Sequence, residues 1–190
     1  MPILDRDDSV LVVVDVQPGF LKKVDSDVAL DVVDRIRWLV TLANALDIPV
    51  RVTEEEPEHN GETAEDVRGV LRSEVVRHTK PTFGLTGTPE IFDDVASPGR
   101  RTAVVAGLET DVCVAQTALG LADAGWRAAV VVDAIASPGT SHEQGMSRMR
   151  DAGIELIGAK AVAYDWLGSV ALANEILSRD GLAAPRGVIL

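Results

Sequence analysis

Six short runs of mostly β-branched apolar residues set the strongest limit on what this chain can fold into: residues 10–14 (VLVVV), 48–52 (IPVRV), 75–78 (VVRH), 102–106 (TAVVA), 128–132 (AAVVV) and 154–157 (IELI). Runs of that length and composition read as strands. Between them, apolar residues return at helical spacing. In the first such segment Val32, Ile36, Leu39, Val40, Ala43 and Leu46 share one face, with Ser26 or Asp27 as the N-cap. Thr63 followed by Asp66, and Thr88 followed by Pro89, mark further helix starts, while Gly125 and Gly153 stand where helices should end. Buried strands alternating with amphipathic helices predict a parallel sheet covered on both faces, a three-layer α/β/α architecture. The 190 residues suit a single domain, 1–190, with 184–190 as a docked tail.

In such a sheet the ligand crevice lies at the carboxyl ends of the strands. Asp15 closes the first run, Lys80 follows the third, and Cys113 opens the helix after the fourth. All three belong at that edge. Cys113 is the only cysteine, so no internal disulfide is available and a reducing compartment is expected. A free cysteine also fills small gaps in cores, and composition leaves that reading open. The N-terminus lacks a basic segment leading into an apolar one, and no apolar run reaches membrane-spanning length. The expectation is a cytoplasmic protein with no membrane partner. A formal net charge of -12 without a basic stripe argues against a nucleic-acid partner.

A thiol near its reference pKa of about 8.5 is only a few per cent thiolate at neutral pH. The first turn of a helix and a nearby lysine ammonium both favour the anion, so the sequence predicts an activated Cys113 with a lowered pKa. The backbone N–H groups of Val112 and Cys113 would hold the oxyanion formed when the sulfur attacks a carbonyl. Asp15 would take the thiol proton and deliver it to a leaving amine. Each residue alone has an ordinary structural explanation. The combination at one sheet edge is what points to chemistry.

The stretches VVVDVQPGF, HTKPTFG and AGLETDVCVAQTALGLADAGWRAAVVVDAIAS, with HEQGMSRMRDAGIELI downstream, resemble the signature regions of the isochorismatase-like cysteine hydrolases, the superfamily that contains nicotinamidases and N-carbamoylsarcosine amidohydrolases. The likeness covers nearly the whole chain. It implies a strand order of 3-2-1-4-5-6 in the six-stranded sheet and a catalytic triad of Asp15, Lys80 and Cys113. It also implies a cis peptide between Leu108 and Glu109, and a pocket lined by Phe20 with Trp166 contributing to the rim. The implied activity is hydrolysis of a small amide or N-carbamoyl C–N bond through a thioester, without organic cofactor, in a homo-oligomer such as a dimer or tetramer. The terminal Val188, Ile189 and Leu190 offer apolar surface to a neighbouring subunit.

This chain departs from the nicotinamidases in the loop VTEEEPEHNGETAED, which lacks their pair of metal-binding histidines. Glu54, Glu56 and His59 are a weak donor set for zinc, and no metal is expected. That disfavours a metal-dependent nicotinamidase. The retained cysteine disfavours isochorismatase proper, whose reaction does not use it. A member of the same fold that binds a small molecule without turnover is the alternative, set against three intact site residues. His78 and His142 are assigned no catalytic role. A nucleotide-binding domain is disfavoured because DVQPG, not a glycine-rich turn, follows the first strand.

Overall fold

The computed structural model describes residues 2–190. Its first strand, β1 (Ser9–Val14), is buried along its whole length, as expected of a strand with helices on both faces. The chain then runs through α1 (Pro18–Leu21) and α2 (Ser26–Ala45) into β2 (Val50–Glu55), and through α3 (Pro57–Asn60) and α4 (Glu65–Arg68) into β3 (Arg77–Lys80). Helix α5 (Pro89–Ala96) leads to β4 (Thr102–Leu108), α6 (Ala115–Asp123) to β5 (Arg127–Ala136), and α7 (Ser141–Asp151) to β6 (Glu155–Ile157). Helices α8 (Ala159–Leu167) and α9 (Val170–Leu177) follow. The six strands form one parallel sheet in the order β3-β2-β1-β4-β5-β6. The architecture is the one the residue pattern predicts, and the strand order is the one the family resemblance implies.

Alternation along β1 divides the core in two. Leu11 and Val13 join Ile36 and Leu39 of α2 and Val162 of α8 on one face. Val10, Val12 and Val14 join Ile91 of α5, Leu121 of α6 and Met149 of α7 on the other. Each fully buried side chain of this kind stabilises the fold by about 1.5–3 kcal/mol relative to exposure. Gly125 (φ 82°) and Gly153 (φ 79°) end α6 and α7 in the left-handed conformation that glycine adopts without a Cβ penalty.

Strand ends and helix caps differ from expectation in an informative way. Strands β2, β4 and β5 run three, two and four residues past the apolar runs that predict them, and β3 ends two residues later, at Lys80. Helix α2 begins after Asp25, so neither Ser26 nor Asp27 is its cap. Thr63 does not open α4, whose cap position is Ala64; its N–H and hydroxyl both go to Glu54 Oε1, at 2.7 and 2.6 Å. The tail is tethered to α2 through the Arg186 N–H, which donates to Asp34 Oδ2 at 2.9 Å, while Ile189 is 82% exposed. No helix among the described residues is long and apolar enough to cross a membrane.

Candidate active site

The β1–β4 pairing brings the site together. Val14 lies opposite Gly107, and a Cβ at Gly107 would stand 1.9 Å from the Val14 carbonyl oxygen. With φ at 133° as well, that position requires glycine. Asp15 follows at φ 49°, a left-handed conformation that aspartate tolerates better than most residues. The turn aims its fully buried carboxylate across β2 toward β3. Oδ1 accepts the Thr53 hydroxyl at 2.8 Å, and Oδ2 lies 2.6 Å from Lys80 Nζ. The latter contact is an ion pair rather than an aligned hydrogen bond. Lys80, also fully buried, donates to the Thr82 carbonyl at 3.1 Å.

Beyond Gly107 the Leu108–Glu109 peptide is cis, and residues Thr110–Val114 form a π-helical turn that leads into α6. Two contacts fix this turn. Thr110 Oγ1 pairs with His142 Nδ1 at 2.9 Å, and the Ser137 hydroxyl donates to Asp111 Oδ1 at 2.6 Å. Helix α7 packs against it so closely that a Cβ at Gly145 would lie 2.7 Å from Asp111 Cα. Cys113 is thereby carried on a wide turn before α6 and not on an ordinary first helical turn. Its residue is 2% exposed.

The structure brings Asp15, Lys80 and Cys113 to one place and adds a fourth residue that the sequence reading passed over. Glu55, the last residue of β2, accepts a hydrogen bond from the Cys113 thiol at 3.2 Å and lies 3.6 Å from Lys80 Nζ. Donor atoms of Asp15, Glu55 and Cys113 all fall within 4.8 Å of one another. The backbone of Glu55 is held by Gln17, which accepts its N–H at 2.7 Å and donates to its carbonyl at 3.0 Å. Glu54 points to the opposite face from Glu55, as its neighbour in the strand must, and the chain turns out of the strand at Glu56, whose backbone is left-handed (φ 41°). Glu54 is tied to Thr63 and Arg77, and Glu56 is exposed beside His59. The side chains of Glu54, Glu56 and His59 thus do not converge on one point; Glu55 is the carboxylate of this segment that faces the thiol.

Three further expectations change. Trp166 is not at the pocket: its indole N–H donates to Ser9 Oγ at 3.1 Å, at the amino end of β1. Six residues of strand place that about 20 Å from the carboxyl edge. Phe20 is buried in the main apolar cluster with Lys23 Nζ 4.6 Å from its ring centre, and the aromatic on the cavity beside Lys80 is Phe83. The Val112 N–H already donates to the Glu109 carbonyl at 3.2 Å. It can serve an oxyanion only by giving up that bond.

The electrostatics reverse the expected activation of the thiol. Burial pushes the Cys113 pKa up, the Asp15 charge and the Glu55 hydrogen bond push the same way, and Lys80 opposes them without prevailing. Burial also raises Asp15, against the opposing charge of Lys80 and the hydrogen bond from Thr53. The resting site is a neutral thiol beside a carboxylate with enhanced proton affinity. Alkylation of Cys113 by iodoacetamide should accordingly keep accelerating with pH through and beyond the ordinary thiol range of about 8.5. A rate that levels off below pH 8 would show instead that a thiolate exists at rest.

Comparison with known proteins supplies a family. The isochorismatase domain model matches residues 9–161. Isochorismatase domain-containing protein 2 of Xenopus laevis is 32% identical over 162 residues, covering 84% of this chain and 76% of the relative. In several other curated relatives the matched region is 62% of their length. Among solved structures, the MAR1 ribonuclease of Caenorhabditis elegans superposes with a TM-score of 0.83 at 24% identity, covering 100% of this chain and 98% of that one. The YcaC gene product of Escherichia coli, described as an octameric hydrolase of unknown specificity, gives 0.81 at 22% identity over 92% and 88%. At these identities the structural likeness concerns the fold.

Proposed function

The chain belongs to the isochorismatase family, a family of hydrolase type, and on that footing we propose that it is a cysteine hydrolase that cleaves a small amide or N-carbamoyl C–N bond. The observation that carries this reading is the buried Asp15–Lys80 pair, at 2.6 Å, set against the Cys113 thiol. Attack of Cys113 Sγ on the substrate carbonyl forms the C–S bond as the thiol proton passes to Asp15, whose raised pKa suits it to hold that proton. Collapse of the tetrahedral intermediate breaks the C–N bond, and Asp15 returns the proton to the leaving nitrogen. Water then attacks the thioester, gives its proton to Asp15, and the released sulfur takes it back. Lys80 holds Asp15 in place and offsets the negative charge. The Cys113 N–H is the backbone donor for the oxyanion.

No organic cofactor enters this scheme. We take 1–190 as one hydrolase domain that works as a homo-oligomer, by analogy with the octameric E. coli neighbour. A ribonuclease reading, suggested by the C. elegans neighbour, has the wrong electrostatics: a chain of net charge -12 repels a phosphate backbone.

A panel of small primary amides and N-carbamoyl compounds tests the proposal. Ammonia should be released from at least one, and acid quenching during turnover should trap an acyl adduct on the peptide that contains Cys113. Turnover without an adduct, and undiminished in Cys113→Ala, would exclude the thioester route.

A further inference from the structure

Glu55 belongs both to the cluster around the thiol and to the wall of a cavity beside Lys80. The cavity, of about 460 Å³, has Glu55, Glu56, Glu58, Lys80, Thr82 and Phe83 among its walls. Cys113 is 2% exposed, whereas the Glu55 side chain is 18% exposed. A molecule entering from the cavity therefore meets the Glu55 carboxylate before the sulfur that it hydrogen-bonds. The charges around this route are unequal. Glu55, Glu56 and Glu58 are opposed among the lining residues by Lys80 alone, whose ammonium is already committed to Asp15. The partners that Glu55 has in the resting site are a neutral thiol and a shared ammonium 3.6 Å away. A cationic substrate group would be a stronger one.

Resting on the amide-hydrolase reading above, we infer that Glu55 is a specificity-determining residue that selects small amides bearing a positive charge within two or three bonds of the scissile carbonyl, and rejects carboxylated ones. The short reach follows from geometry. With Glu55 Oε2 only 3.2 Å from Sγ, a group paired to that carboxylate and a carbonyl poised at the sulfur must be close neighbours in the substrate. Binding draws the carboxylate off the thiol onto the cation. The Sγ proton is then free to pass to Asp15, so the group that confers selectivity also releases the nucleophile.

The test uses two readouts on the whole chain. The first is the rate at which Cys113 is modified by a cationic (trimethylammonioethyl) and an anionic (sulfonatoethyl) methanethiosulfonate, located by mass spectrometry and normalised to N-acetylcysteine. The cation-to-anion ratio should exceed that of the free thiol by about tenfold or more at low salt, and Glu55→Gln should remove most of the excess. Asp123→Asn, the same change of charge at an exposed position near the far end of α6, should change it far less, because that carboxylate is in water and makes no contact with the thiol or its cavity. A ratio equal to that of the free thiol, failure of the cationic reagent to label, or an unchanged ratio in Glu55→Gln would each overturn the inference. The second readout is kcat/KM for β-alaninamide, butanamide and malonamate, which are cationic, neutral and anionic at neutral pH. The expected order is the order given. Equal or faster hydrolysis of butanamide or malonamate leaves the hydrolase standing and removes the role of Glu55. Cation-selective labelling without ammonia release from any of the three or from the amide and N-carbamoyl panel above removes the hydrolase reading and the substrate assignment with it.

Discussion

Lys80→Met should destabilise the protein by about 3–5 kcal/mol at pH 8, because it strips the only cation from a fully buried carboxylate. Methionine fills nearly the volume of the lysine stem, so packing contributes little of this loss. What remains is Asp15 without its counter-charge, held by the Thr53 hydroxyl and beside the Cys113 thiol. Glu55 also loses its contact with Lys80, but its partly exposed side chain can turn to water. The deficit should depend on pH. Burial already raises Asp15 while Lys80 opposes the rise, so removing Lys80 raises it further. Between the unfolded value of about 3.9 and the higher folded one, the folded variant binds more protons than the unfolded chain. Its stability therefore falls as pH rises through that window, and urea midpoints should show a smaller deficit at pH 5 than at pH 8. Adding Asp15→Asn should recover much of the loss, since asparagine accepts the left-handed backbone and can still receive the Thr53 hydroxyl. A deficit below about 1 kcal/mol at both pH values would mean that the pair is far better solvated than its burial indicates.

The parts of this molecule that were legible in the sequence are those that depend on burying apolar surface. Val10 to Val14 had to be covered on two faces, and that requirement, with the amphipathic helices between the strands, led to the parallel sheet. The strand ends were not legible in the same way. Thr53, Glu54 and Glu55 continue β2 because their polar groups are satisfied by Asp15, Thr63, Arg77, Gln17 and the thiol. None of those partners is near in sequence to the strand residue it serves. Three consecutive glutamates read as a solvated loop; only the alternation of a strand, continued three residues past the apolar run, would have singled out Glu55. Trp166 failed for a related reason. It follows β6 in sequence, but it stands near the end of the nine-residue helix α8, which covers about 13 Å and carries it back to the amino edge. The forces that oppose the anion were not legible either: a helix start and a lysine can be read from the chain, but burial of Cys113 and the second carboxylate, which both act against the anion, depend on the fold.

A neutral thiol at rest makes the proton acceptor as necessary as the sulfur, and this leads to the largest effect on activity. Cys113→Ala and Asp15→Asn should each lower kcat/KM by about 10⁴-fold or more on any substrate the protein turns over. The double variant should be no worse than either alone. An isolated catalytic contribution from Asp15, such as orienting the substrate, would add to the loss of the cysteine; a proton acceptor for that cysteine has nothing left to accept once the thiol is gone. Asp15→Asn also leaves the Lys80 ammonium buried against Glu55 and the Thr82 carbonyl, so rates must be compared well below the melting transition of each variant. The two singles should differ in one further respect. Cys113→Ala can form no acyl adduct, whereas Asp15→Asn retains the sulfur and should accumulate adduct slowly as the pH is raised and hydroxide takes over removal of the thiol proton. If Asp15→Asn keeps a tenth or more of the parent rate at neutral pH, the proton leaves Cys113 by another route. Glu55, 3.2 Å from the sulfur, would then be the base to examine.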